Sequence, residues 1–223
     1  MLTKLHYTVS TNLIQDALQS VPPTDFRLTI NEPTGRFFYD PWETKLEYKD
    51  TAWEKILNTL PVDFGEARII GLKAGECYQC HSDIDDRYHL NLSGSESFII
   101  NIDSQEMFET TQDGFWYEMD ASPRHSAANF GQIVRVQLVV RKLLTPNILN
   151  NPIDVKITPS RLDQNNARFF FDQTISVWLN YANKNNLITA FNHTPTCVSF
   201  TIEKIAIDDL KNILYPEFEL HIL

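Results

Sequence analysis

The chain has 223 residues, with 19 Lys and Arg against 29 Asp and Glu, and a formal net charge of −10. Hydrophobic residues make up 43% and charged residues 22%, a composition that builds a buried core rather than a disordered chain. The acidic balance, without a basic run, excludes a general nucleic-acid binder; no apolar stretch approaches the ~20 residues that span a bilayer; and three cysteines cannot form a disulfide framework.

The opening MLTKLHYTVSTNLIQD has polar residues where a signal peptide needs an apolar stretch, so a cytosolic protein is expected, with no membrane or nucleic-acid partner. Residues 10–21 place Leu13, Ile14, Leu18 and Val21 at helical spacing, with Pro22 and Pro23 ending the helix. Residues 26–47 are aromatic and irregular. A second helix starts at Thr51, which with Glu54 has the spacing of a capping box, and carries Trp53, Ile56, Leu57 and Leu60 on one face.

From Glu66 to Lys142 the period changes to two. The segments ARIIGLKA, ECYQCH, RYHLNLS, SFIINID, FWYEMD and IVRVQLVVRK predict short strands separated by turn residues, the pattern of a sandwich or barrel. Residues 145–160, with Pro146, Pro152 and Pro159, read as a connector. A helix is predicted along ARFFFDQTISVWLNYANKNN, where Phe171, Ile175, Trp178, Leu179 and Ala182 share a face, followed by a strand CVSFTI and a helix IDDLKNIL. The expected plan is therefore a helical and irregular flank over 1–65, a mainly β core over 66–142 and a mixed α/β extension over 143–223.

The densest chemistry lies in HSDIDDRYHL, His81 to Leu90. On a strand, His81 and Asp83 point to the same side and can reach one ion. Two imidazoles and one carboxylate on one face, with open positions opposite, is the arrangement of non-haem Fe(II) oxygenases. The third ligand must come from elsewhere. His125 is the best candidate, singled out by Arg135 ten residues later.

These residues resemble the aspartyl/asparaginyl β-hydroxylase-like family of Fe(II)/2-oxoglutarate oxygenases, which includes free-proline hydroxylases. The resemblance rests on His81-x-Asp83, the run Arg87-Tyr88-His89-Leu90-Asn91-Leu92, the stretch Asp120 to His125, and then Asn129 and Arg135; with the lead-in GEARIIGLKAGE it spans about residues 66–142. It implies a double-stranded β-helix, a cupin-like jelly roll, with Fe(II) held by His81, Asp83 and His125. It implies that Arg135 takes the far carboxylate of 2-oxoglutarate, with Arg87 and His89 contacting the cosubstrate or its surroundings. It also implies hydroxylation of an amino acid, free or peptidyl, using O2 and yielding succinate and CO2. Animal aspartyl/asparaginyl hydroxylases lack the carboxylate ligand, so Asp83 moves the chain towards free amino-acid hydroxylases. Asp83 also argues against a halogenase, which needs that position open for chloride.

The residue pattern agrees with this reading. Arg87, His89 and Asn91 alternate with Tyr88, Leu90 and Leu92, and Arg135 and Gln137 alternate with Val134, Val136 and Leu138. A buried guanidinium is costly unless paired, and a carboxylate supplies a bidentate partner. Asn91, Gln137 and Trp116 are expected to line a substrate pocket, and Trp42 and Tyr39 are weaker candidates, since aromatic residues usually belong to the core. The competing assignments are surface-loop residues for the metal triad, an ion pair with Asp120 or Glu118 for Arg135, and a core hydrogen-bond network for Arg87 and His89. Cys77 to His81 also matches C-x-x-C-H, a haem-attachment pattern, but on a strand the two cysteines point to opposite faces; Cys77 is expected inward, beside the metal. The alternatives at the level of function are a non-catalytic cupin-like module that binds a metal or small acid, and a cupin metalloenzyme that does not use 2-oxoglutarate. Arg135 separates these from the first reading.

Overall fold

The alternation in RYHLNLS and RVQLVVRK becomes the two faces of one twisted sheet. The computed structural model describes residues 2–20, 27–160, 175–194, 197–214 and 218–223. Its elements are β1 (Leu2–Thr8), α1 (Thr11–Gln19), β2 (Arg27–Thr29), β3 (Asn31–Pro33), β4 (Trp42–Thr44), α2 (Ala52–Leu57), β5 (Phe64–Leu72), β6 (Arg87–Ser93), β7 (Ser97–Asn101) and β8 (Glu106–Glu109). They continue with β9 (Phe115–Met119), β10 (His125–Asn129), β11 (Arg135–Lys142), β12 (Pro152–Pro159), α3 (Ser176–Lys184), β13 (Ile188–His193), β14 (Val198–Glu203), α4 (Ile207–Leu214) and β15 (Phe218–Ile222). The protein is mainly β, with antiparallel sheets and few helices. No helix among the described residues is long and apolar enough to cross a membrane.

Contacts divide the chain into two units, the first comprising Met1–Cys80 and Asp85–Leu143, the second His81–Ile84 and Leu144–Leu223. In the first, a six-stranded sheet has the order β1-β9-β6-β11-β5-β2 and a three-stranded sheet the order β10-β7-β8. The larger sheet has two distinct faces because side chains alternate. On one, Leu90, Leu92, Leu138, Val140, Ile69 and Trp116 are buried against Ile14 and Ala17 of α1 and Trp53, Ile56 and Leu57 of α2. This is the main core. On the other face, the register places Gln137 opposite Asn91, Val139 opposite His89 and Arg141 opposite Arg87, while β5 sets Leu72 opposite Arg135. A small cavity between the sheets, lined on one side by His89, Asn91, Gln137 and Tyr117 and on the other by Ile99 and Thr110, marks the interior of this layer. The residues of the expected N-terminal flank thus pack in the same unit as the β core.

Both predicted N-terminal helices form. Ser10 caps α1, its hydroxyl accepting from Leu13 N–H at 3.3 Å. At α2 the expected reciprocal box is altered: Thr51 Oγ1 accepts from Trp53 N–H at 3.2 Å, while Glu54 Oε2 accepts from Asp50 N–H at 2.7 Å rather than from Thr51. Pro22, Pro23 and Phe171 lie outside the described residues, as do the first residues of the helix predicted around Phe171. The rest of that helix is α3.

Two expectations are corrected. The segment ECYQCH is not a strand. It runs beside β10 through Gly75 N–H to Asn129 O at 2.8 Å and Tyr78 N–H to Ala127 O at 2.7 Å, with isolated bridges at Cys77, opposite Ala128, and at His81 in place of a continuous ladder. The connector read over 145–160 contains β12, paired with both β14 and β15. Its alternation of Ile153, Val155 and Ile157 is framed by Pro152 and Pro159, which sit at the strand ends where a missing N–H costs little. In the second unit β12 belongs to a four-stranded sheet of order β13-β14-β12-β15. There Val155, Ile157, Phe200 and Ile202 are buried, as are Leu179 of α3 and Leu210 of α4.

Candidate metal and cosubstrate site

His81 and Asp83 follow the irregular segment after β5, and His125 is the first residue of β10. One ligand atom from each of these three residues lies within 4.8 Å of the other two, and His81 Nε2 is 3.7 Å from Asp83 Oδ2. Donors each about 2.1 Å from a single ion stand roughly 3–4 Å apart, so a small contraction brings all three onto one cation. His125 is buried, and its Nδ1 lies 2.9 Å from the carbonyl oxygen of Pro123. A carbonyl only accepts, so Nδ1 carries the proton and Nε2 keeps the lone pair that a metal requires. Asn180 of α3 donates to the Asp83 carbonyl at 2.9 Å and fixes the backbone of that ligand.

Arg135 opens β11 and is 2% exposed, and its Nε and Nη1 have no hydrogen-bond partner among the described residues. Burial pushes its pKa down to about 10. Glu118, one of the partners expected for it, pairs with Lys142 instead. A cationic fork left without an anion inside a protein is the imprint of a missing partner. The backbone around it is tightly specified. Gly94 has φ +108°, and a Cβ there would fall 2.8 Å from Arg135 Cα. Asn129 ties the turn before β11, its amide donating to Leu72 O at 2.9 Å and Ile133 O at 2.8 Å.

Arg87 has a different environment from Arg135. It is buried in an ion pair with Asp85, whose second oxygen takes Arg141 Nη1 at 2.7 Å, and Arg141 also reaches Glu66 at 3.0 Å. The residue expected at the cosubstrate is therefore held in a protein ion network. The ring nitrogens of His89 are buried, and its pKa is lowered to about 3, first by burial and then by the positive charges of Arg135 and Arg87 and the His125 ring, with the Gln137 side chain opposing the shift. His89 is thus neutral at pH 7.

Asn91 and Gln137 line the cavity between the sheets, and Asn91 donates to Thr110 O at 2.7 Å. Trp116 does not. It sits on the opposite face of β9, in the core against α2, with Nε1 donating to Thr59 Oγ1 at 2.8 Å. Tyr39 and Trp42 are also buried, Trp42 donating to Phe37 O at 3.1 Å. Cys77 is exposed rather than inward and Cys80 is half-buried. Asp85, Glu66 and Arg141 were not singled out in the sequence. The continued alternation Arg135, Gln137, Val139, Arg141 puts Arg141 on the polar face and was the available clue.

No protein-family model matches the chain, and no curated protein matches it. Among solved structures, the crystal structure of CapF with the inhibitor 3-isopropenyl-tropolone aligns over 56% of this chain and 34% of that one, at 15% identity and a TM-score of 0.32. The chain thus corresponds to about a third of that protein's length, and a likeness this slight carries no argument about fold or function.

Proposed function

We propose that the protein is an Fe(II)- and 2-oxoglutarate-dependent oxygenase of the aspartyl/asparaginyl β-hydroxylase-like family, hydroxylating a free or peptidyl amino acid. The observation that carries this reading is the buried guanidinium of Arg135, whose Nε and Nη1 have no hydrogen-bond partner among the described residues, in a chain whose His81, Asp83 and His125 converge on one point. A metal site alone fits many activities, including a binding module without turnover. The metal triad together with a cationic fork that needs a carboxylate fits a metal-chelating dicarboxylate.

The strand order supports a double-stranded β-helix. β5, β6, β9 and β11 lie in the larger sheet and β7, β8 and β10 in the smaller one, so the chain passes back and forth between two facing layers as a jelly roll does. His81, Asp83 and His125 would hold Fe(II), a 2-His-1-carboxylate set that leaves positions open for cosubstrate and O2. Bound there, iron with 2-oxoglutarate and O2 supplies an oxidant able to hydroxylate a C–H bond, releasing succinate and CO2. The chain's own contribution is positioning. Arg135 anchors the far carboxylate, the Pro123 carbonyl orients His125, and neutral His89 adds no charge to the interior.

The decisive experiment is an anaerobic titration with Fe(II), with and without 2-oxoglutarate, watching for the weak visible charge-transfer band, followed by a succinate assay in air. The band and uncoupled succinate release are expected, and Asp83→Ala should abolish both. Absence of both in the wild type overturns the reading in favour of a metal-binding module or a metalloenzyme that uses no 2-oxoglutarate. A mass-spectrometric screen for +16 Da products across amino acids and peptides then identifies the substrate.

A further inference from the structure

Asp83, one of the three candidate metal ligands, is not held by a strand. His81 takes part in an isolated bridge and β6 begins only at Arg87, so residues 82–84 lie outside any ladder. Nor does Ser82 brace the turn: it is 2% exposed, and its Oγ has no hydrogen-bond partner among the described residues. The turn His81–Ile84 belongs to the second unit, as does α3. From the middle of α3, Asn180 donates through Nδ2 to the Asp83 carbonyl oxygen at 2.9 Å. Asn180 is fully buried, yet its Oδ1 has no hydrogen-bond partner among the described residues. Its buried neighbours on the helix, Leu179 and Ala182, are apolar. Burying an amide with its oxygen unpaired is costly, and an apolar residue would suit helix packing better. What the asparagine adds is one N–H aimed at the backbone of a metal ligand.

We propose that Asn180 is a positioning residue of the metal centre: by holding the Asp83 backbone against a helix it fixes where that carboxylate meets the ion, and so sets the affinity for Fe(II). A helix is a more precise platform for such a contact than a loop. The inference rests on the metal site of the proposed function and is independent of 2-oxoglutarate. It gives the C-terminal extension a part in the site that the H-x-D pattern does not contain. The coupling is reciprocal, so bound Fe(II) in turn strengthens the hold of α3 on the turn.

The test is an anaerobic calorimetric titration of the full chain with Fe(II) alone. Asn180→Leu keeps the branched shape and removes the donor, and its Fe(II) Kd should rise about 10–100-fold, the scale on which residues that orient metal ligands act. Leu179→Ala, on the same helix, removes apolar packing but leaves the donor; it should lower the urea midpoint while the Fe(II) Kd stays at the wild-type value. That contrast separates positioning of Asp83 from a general loosening of α3. If Asn180→Leu does not fold, hydrogen exchange in the wild type carries the test: adding Fe(II) should slow exchange in α3 as well as in the turn that bears His81 and Asp83. An unchanged Kd in Asn180→Leu, an equal rise in Leu179→Ala, or exchange in α3 that does not respond to Fe(II) overturns the inference and leaves the metal site standing. A wild type that does not bind Fe(II) overturns both.

Discussion

Arg135 and His89 make the interior of the larger sheet electrostatically costly, and both costs can be measured. Arg135 is charged and buried, and Nε and Nη1 have no hydrogen-bond partner among the described residues. Replacing such a group by an apolar one of similar volume removes a desolvation penalty. Arg135→Met should therefore stabilise the ligand-free protein by about 1–4 kcal/mol, read from the urea midpoint, while abolishing 2-oxoglutarate binding. A loss of stability would show that the guanidinium has a protein partner. His89 behaves oppositely with pH. Its folded pKa of about 3 lies below the ordinary value of 6.5, so between these values the unfolded chain binds the extra proton. Its contribution to stability is fully present above about pH 6.5 and is lost as pH falls towards 3, by roughly 5 kcal/mol at most. Stability measured at several pH values should fall less steeply across this window in His89→Gln than in the wild type.

At the scale of elements, β6 and β11 are held together by more than their ladder. Asp85, just before β6, takes Arg87 and Arg141 on its two oxygens, and Arg141 carries the pair on to Glu66 of β5. Phe37 and Phe38 cover the Arg141 guanidinium, each ring centre 5.4 Å from Cζ, which excludes water and strengthens the pairing. Asp85→Ala would strip the buried Arg87 of that carboxylate and leave Arg141 with Glu66 alone, and a loss of about 3–5 kcal/mol in chemical denaturation is expected. A change below 1 kcal/mol would show that the network is solvated and structurally minor. The contrast with Arg135 is instructive: on the same face, Arg87 and Arg141 have carboxylate partners, whereas Arg135 Nε and Nη1 have no hydrogen-bond partner among the described residues. Sequence alternation put both on that face and could not tell them apart, because the acceptors come from Asp85 and Glu66, which are remote in the chain from Arg141.

For the whole molecule, ligand binding and folding are linked. A ligand at a hundred times its Kd adds about 2.7 kcal/mol to stability, so Fe(II) with 2-oxoglutarate should raise the melting midpoint by several degrees beyond Fe(II) alone. The increment from 2-oxoglutarate should vanish in Arg135→Met. The net charge of −10 is compatible with an anionic cosubstrate because Arg135 and a metal would concentrate positive charge locally, inside an acidic protein.

Period-two alternation from residue 66 to 142, the Ser10 and Thr51 helix starts and the H-x-D spacing were legible in the sequence because each depends on residues close together in the chain. Strand β12 was hidden by its terminal prolines, and the irregular course of ECYQCH could not be read because it depends on which neighbour pairs with it. The sequence by itself determined a mainly β core with two amphipathic helices, and nominated His81, Asp83, His125 and Arg135. Only the tertiary structure decided that the three ligand atoms converge, that Arg87 is paired with Asp85 while Arg135 has no ion pair among the described residues, and that Trp116 belongs to the core. Alternation names the face a side chain occupies, but its partner there is set by strand order and register, which bring together residues dozens of positions apart.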